Sequence, residues 1–381
     1  MKTQQMKKFL LSMLAIAALT TSCSDDDKPA TNPNNTEIDP ADFRGTLEDG
    51  QVATLDPSET YFLTGSFVIN DGAELTIPAG TVIKASGGTS AYIAVAQGGK
   101  IFIEGEAGNP VVMTSASSNP AEGDWGGLVI CGRANTNKGG NAGQTALSEV
   151  GNLTYGGTID NDSSGSIRYL RVEYTGAVFS NEKEFNGVSL FGVGSGTTFE
   201  YVQSYEGGDD GIEFFGGAVN GKYLISIGSG DDSIDFADGW KGTGENWYIK
   251  GGAKAGIEGS NNGDDFGATP MTTATLKNIT VVGPGDEGGI YIKEGGGMWT
   301  VDNFYISGFE RGINVKGTAD DPQSNEHLDN GDISFTNVKF DNVTEETNYA
   351  GTTEFYTTSD SAMGAGNGAA MPTWAQGWAK Q

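Results

Sequence analysis

Six short segments of this chain repeat one pattern at a nearly fixed interval: FNGVSLF at 185, DDGIEFF at 209, DDSIDFA at 231, KAGIEGS at 254, EGGIYIK at 287 and ERGINVK at 310. Their central residues, Val188, Ile212, Ile234, Ile257, Ile290 and Ile313, are 24, 22, 23, 33 and 23 residues apart. The long interval contains an extra loop, NNGDDFGATPMTT. A second strand-like run precedes most copies, as in TFEYVQS, KYLISIG, NWYIKG and LKNITVVG. A unit of this length, with two or three short strands, marks a solenoid. A leucine-rich repeat would show a regular leucine and asparagine frame, which is missing. The 60 glycines fall between the β-rich runs, so they read as turns and not as disorder. GAELTIPAGTVIKASG and GGKIFIEGEAGNPVVMTSA extend the pattern into the first half. The expectation is an all-β chain: one parallel β-helix of about 23 residues per turn over residues 45–350, with 351–381 as a tail or cap. A right hand follows from the general preference of parallel crossovers.

Alternate residues of a strand face opposite sides. Ile212 and Phe214, Ile234 and Phe236, Ile290 and Ile292, and Ile313 and Val315 then point inward and stack along the axis. A glycine, or a serine in one copy, precedes each isoleucine, which reads as a tight turn. The doubled aspartates Asp209, Asp210, Asp231 and Asp232 fall at that corner, where a carboxylate bonds backbone amides of its turn. The next outward position runs Ser189, Glu213, Asp235, Glu258, Tyr291, Asn314. Three consecutive carboxylates would then share an exposed column, about 4.8 Å apart. Two unit charges at that spacing repel by roughly 1 kcal/mol in water and about 3.5 kcal/mol at an effective dielectric of 20. Two readings stand side by side. One is a solvated acidic face with aspartates used as turn chemistry. The other is a calcium (Ca2+) site bridging adjacent turns, because oxygen-only ligands from Asp209, Asp210, Glu213, Asp231, Asp232, Asp235 and Glu258 suit that ion. Lys293 and Lys316 stack one outward position further on.

The chain opens MKTQQMKKFLLSMLAIAALTTSCS, with a basic start and an apolar run, Phe9 to Leu19, that is too short to span a bilayer. LTTSC resembles a bacterial lipoprotein box, which implies cleavage after residue 22 and lipid on Cys23. Residues 23–44, rich in Asp, Asn and Pro, read as a flexible acidic tether. The acidic run after the cysteine resembles the surface-export signal of Bacteroidetes lipoproteins, implying an outer-membrane, surface-exposed protein held by its lipid alone. Without residues 1–22 the chain has 19 basic and 50 acidic residues, a net charge of −31. That excludes a nucleic-acid partner, which requires basic patches. Cys131 is then the one remaining cysteine and His327 the one histidine, which excludes disulfides, zinc sites and Ser-His-Asp chemistry.

GDDGI and GDDSI resemble the Gly-Asp-Asp stretch of polygalacturonase-type glycoside hydrolases, but the Gly-His-Gly turn and the Arg-Ile-Lys run of that family are absent. Pectate-lyase-like enzymes combine calcium on outward acids with a basic residue, for which Lys241 and Lys250 are the nearest candidates. A wider resemblance covers most of the chain. GDWGGLVICGRANTN, IRYLRVEYTG, the stretch from FNGVSLF to FFGG, and the closing PTWAQGWAKQ look like a family of exported bacterial β-helix lipoproteins. It implies fold and export and supplies no catalytic residues.

Long loops at 132–165, 259–273 and 317–331 are the places where a solenoid carries function. Trp247 reads as interior. Trp240, Tyr201 and Tyr205 are candidates for a sugar-binding patch beside Glu213 and Asp235. The leading expectation is a non-enzymatic lipoprotein that binds an extracellular polysaccharide or surface ligand with calcium. The alternatives are a calcium-dependent polysaccharide lyase or a hydrolase, and an adhesin or structural surface component.

Overall fold

Parallel pairing in a constant register builds the molecule. The computed structural model describes residues 35–140, 142–180 and 183–381. The expected signal segment, Cys23 and the tether up to residue 34 lie outside the described residues. In the C-terminal half each turn has a long strand followed by a short one. The long strands include Gly165–Glu173, Thr198–Tyr205, Asn220–Ser229, Thr243–Gly252, Thr275–Val282, Thr300–Ser307 and Ser334–Asp341. The short ones include Leu128–Cys131, Val188–Phe191, Ile212–Phe215, Ile234–Ala237, Ala255–Gly259, Gly288–Ile292 and Arg311–Val315. Each pairs in parallel with its equivalent one turn away, giving an all-β parallel β-helix. The expected isoleucine register is the observed one: Val188, Ile212, Ile234, Ile257, Ile290 and Ile313 are successive partners. All six are buried and form part of one continuous apolar core.

Three features differ from the sequence reading. First, the glycines before the isoleucines are not turn glycines. Gly187, Gly211, Gly256 and Gly289 lack positive φ. They are small because the next turn is close: a Cβ on Gly211 would sit 2.5 Å from the Ser233 carbonyl oxygen, and one on Gly256 2.7 Å from that of Gly289. Second, each long strand bends at one left-handed residue. These are Tyr169, Tyr201, Tyr223, Asn246, Asn278, Asn303 and Asn337, with φ between 50° and 60°. Asparagine tolerates this conformation, whereas for tyrosine it is uncommon. Stacking compensates: the rings of Tyr169 and Tyr201 lie 4.3 Å apart and those of Tyr201 and Tyr223 4.4 Å apart. The asparagines continue the ladder with side-chain bonds, Asn303 donating to Asn278 at 2.8 Å and Asn278 to Asn246 at 3.2 Å. Third, the loop at 317–331 holds a helix, Pro322–Asn330. Asp321 caps its start by accepting from the Ser324 amide, and Gly331 ends it in the left-handed region.

Candidate functional site

The doubled aspartates tie one turn to the next. The Asp210 Oδ1 accepts from the amide of Asp232 at 2.8 Å, and the Asp232 Oδ1 accepts from the amide of Ala255 at 2.6 Å. Turn chemistry is therefore part of their role, but the bonded amide belongs to the following turn. The outward column is also in the expected register, with Ser189, Glu213, Asp235, Glu258, Tyr291 and Asn314 as successive partners. Its expected exposure is wrong. Glu213, Asp235 and Glu258 are 9%, 8% and 4% exposed. They lie in a recess of about 410 Å³. The long insertions wall it off. The hairpin of Thr145–Leu147 with Thr154–Gly156 brings in Glu149, and Glu184 comes from a second hairpin. Nine carboxylates and two lysines, Lys254 and Lys293, line this recess.

The carboxylates fall into three groups whose ligand atoms lie within 4.8 Å of one another: Asp209, Asp210 and Asp231; Asp210, Glu213 and Asp235; and Asp232, Glu258 and Glu287. The two outer groups have internal counter-ions. Lys254 lies 2.6 Å from Asp231, and Lys293 lies 2.9 Å from Glu258. Among the described residues the central group makes no direct ion pair, although the Lys293 charge reaches Asp235. Among the described residues its one side-chain amide donor is Asn186, which gives Nδ2 to the Glu213 Oε2 at 2.6 Å. The Asp235 Oδ1 is buried without a hydrogen-bond partner among the described residues. An unpaired buried carboxylate oxygen is costly, and several together are more so.

The titration of the cluster reflects this crowding. Burial, then the charges of Asp231, Glu184 and Glu149, push Asp209 up to about 7. Burial and neighbouring carboxylates hold Asp210, Glu213, Asp232 and Asp235 well above the ordinary carboxylate range. Burial works against the charge of Lys293, but Glu258 and its acidic neighbours outweigh it and keep the ammonium above the usual lysine range. Oxygen-only ligands drawn from two adjacent turns fit a hard divalent cation such as calcium.

The expected aromatic patch is not there. Trp240 is fully buried inside the helix, donating Nε1 to the Val219 carbonyl at 3.0 Å and stacking 4.5 Å from Phe214. Its predecessor run, DFADG, reverses the chain so that the indole points inward, where Trp247 also packs as expected. Tyr201 stacks between two tyrosines beneath Trp378, and Tyr205 lies under the Lys380 ammonium, 4.0 Å from the ring centre. Both are on the long-strand face covered by the C-terminal segment, away from the acidic recess. Lys241 pairs with Asp160, and Lys250 is exposed; neither lines the recess.

The sequence reading missed Glu149 and Glu184, which come from insertions with no repeat to align, and Asn186, which stands in the FNGVSLF copy at the position of Asp210 and was readable from that alignment. Lys254 was readable. Asp209, Asp231, Lys254 and Glu287 occupy equivalent corner positions of successive turns. So was Lys293, already placed one outward position beyond the column.

The family profile described as the pectate-lyase-like beta helix domain matches residues 45–379. No curated protein matches the chain. Among solved structures, the Dettilon tailspike protein is similar at 13% identity and a TM-score of 0.30, covering 70% of this chain and 57% of that one. An alginate lyase from Paenibacillus sp. is similar at 12% identity and a TM-score of 0.30, covering 77% and 98%. The catalytic domain of a GH87 alpha-1,3-glucanase in complex with nigerose is similar at 14% identity and a TM-score of 0.27, covering 80% and 64%. The chain thus spans 57% of the tailspike and 64% of the glucanase domain.

Proposed function

The chain belongs to the family of pectate-lyase-like β-helix domains, and on that scaffold we propose a calcium-dependent polysaccharide-binding protein displayed outside the cell. The central carboxylate group carries this reading. Asp210, Glu213 and Asp235 are buried, lie within ligand distance of one another, and make no salt bridge among the described residues, while the groups on either side each pair with a lysine. These three residues would hold the cation. A bound calcium supplies positive charge and open coordination positions for glycan oxygens. Lys254 and Lys293 neutralise the flanking acids, so a single divalent ion suffices to relieve the centre. A mature chain of net charge −31 also needs such an ion to meet an acidic glycan. The basic start, the apolar run and the LTTSC box support export and a lipid on Cys23, with attachment to the outer membrane through that lipid. Palmitate labelling of the wild type but not of Cys23→Ser tests the anchor.

Cleavage is the second reading, because Lys254 and Lys293 stand beside the acids, as a lyase base would. Binding is preferred for a physical reason. A base must be neutral to take a proton, and Lys293 is held protonated by Glu258. One experiment separates the two. The full chain with Cys23→Ser is incubated with neutral and acidic polysaccharides, with calcium or with chelator. Retention in affinity gels that needs calcium, without new unsaturated ends in ultraviolet absorbance, is the expected result. Calcium-dependent product establishes a lyase. Neither retention nor product overturns the glycan reading and returns the protein to an adhesive or structural role.

A further inference from the structure

Residues 359–381 leave the last turn and run back along the outside of the long strands. The Ala365 amide donates to the Thr280 Oγ1 at 2.9 Å, and the Tyr248 hydroxyl donates to the Ala369 carbonyl at 3.0 Å. Trp374 packs edge-on against Tyr223 at 5.3 Å, and Trp378 against Tyr201 at 6.0 Å. Gln203 then clasps the end of the chain with both halves of its amide, accepting from the Lys380 amide and donating to the Lys380 carbonyl, each at 2.7 Å.

The segment also bonds Asn303 on Thr300–Ser307 and packs on Tyr169 of Gly165–Glu173, so it fastens six consecutive long strands. The four central ones are Thr198–Tyr205, Asn220–Ser229, Thr243–Gly252 and Thr275–Val282. Each of these four runs directly into one of the charged corners: those of Asp209 and Asp210, of Asp231 and Asp232, of Lys254 ahead of Glu258, and of Glu287. Contacts in a solenoid ordinarily join nearest neighbours only. Here one segment fastens several consecutive turns, and the turns whose carboxylates repel one another lie in the middle of its span. Repulsion drives those turns apart, whereas a cation and the strap both oppose that movement.

We infer that the C-terminal strap and the cation site are energetically linked, the strap holding the acid-bearing turns at the spacing that calcium binding requires. This rests on the cation reading above. Linkage is reciprocal, so calcium in turn tightens the strap. The test uses the full chain with Cys23→Ser and calcium as the probe. Calorimetric titration compares this protein with versions that also carry Trp378→Ala or Gln203→Ala. Neither residue touches the carboxylates, yet roughly fivefold weaker calcium binding is expected for Trp378→Ala. A second readout needs no strap substitution: proteolysis of the C-terminal segment should be slower in calcium than in chelator. Unchanged affinity in both variants, with proteolysis indifferent to calcium, overturns the linkage and leaves the cation reading standing. Absence of calcium binding in the unsubstituted strap background overturns both.

Discussion

The short strands present two adjacent columns of very different character. The inward one runs Ile93, Leu128, Val188, Ile212, Ile234, Ile257, Ile290, Ile313 and is aliphatic throughout. The outward one, a single residue further along, runs Ala94, Val129, Ser189, Glu213, Asp235, Glu258, Tyr291, Asn314. It begins apolar, where Val150 and Tyr155 pack against it. It turns acidic over three turns and then becomes neutral again. The constant column makes the solenoid. The variable one departs from what the fold needs where insertions cover it, and that departure is where function sits.

The largest expected effect is on the inward column. Ile234→Ala should cost about 2–5 kcal/mol of stability, by the same amount with calcium or with chelator, as read by denaturant unfolding. One residue further on, Asp235→Asn should do the opposite. In chelator at pH 8 it raises stability, because it removes a buried charge from a repelling cluster. It also lowers calcium affinity by about 100-fold or more, as read by calorimetry. A loss of stability in chelator would show that the outward acids serve the fold after all.

The third effect is on pH dependence. Folded-state values raised above the unfolded ones mean that the folded chain binds more protons, so stability falls as pH rises. The loss begins near the unfolded carboxylate value, about 4, and for Asp209 runs to about 7. Thermal melts in chelator should therefore give a higher Tm at pH 5 than at pH 8, and calcium should remove most of the difference. Glu258→Gln is the mildest case. It frees Lys293 but leaves the central group whole, so calcium affinity should stay near that of the parent. A loss as large as that of Asp235→Asn would move the site toward Glu258.

The fold was legible because its signal is periodic: the isoleucine register, the long interval and the interior place of Trp247 all follow from spacing. The acidic column was legible as a column, but its burial was not. Exposure depends on Glu149 and Glu184, whose hairpins belong to no repeat. Trp240 failed as a sugar platform because a glycine-flanked turn sends its ring to either side, and nothing local chooses. Tyr201 failed because its left-handed backbone leaves no mark in the repeat pattern, and its cover, Trp378, comes from the far C-terminus, 177 residues further on. The lysines were partly legible, since Lys254 aligns with Asp209 and Asp231 once the corners are stacked.

A crystal grown with terbium in place of calcium tests the central claim most directly, because the anomalous signal locates the ion without reference to any ligand assay. The account predicts one dominant peak enclosed by Asp210, Glu213 and Asp235, lost in crystals of Asp235→Asn. A recess without a peak, or a dominant peak between Asp232, Glu258 and Glu287, would contradict it.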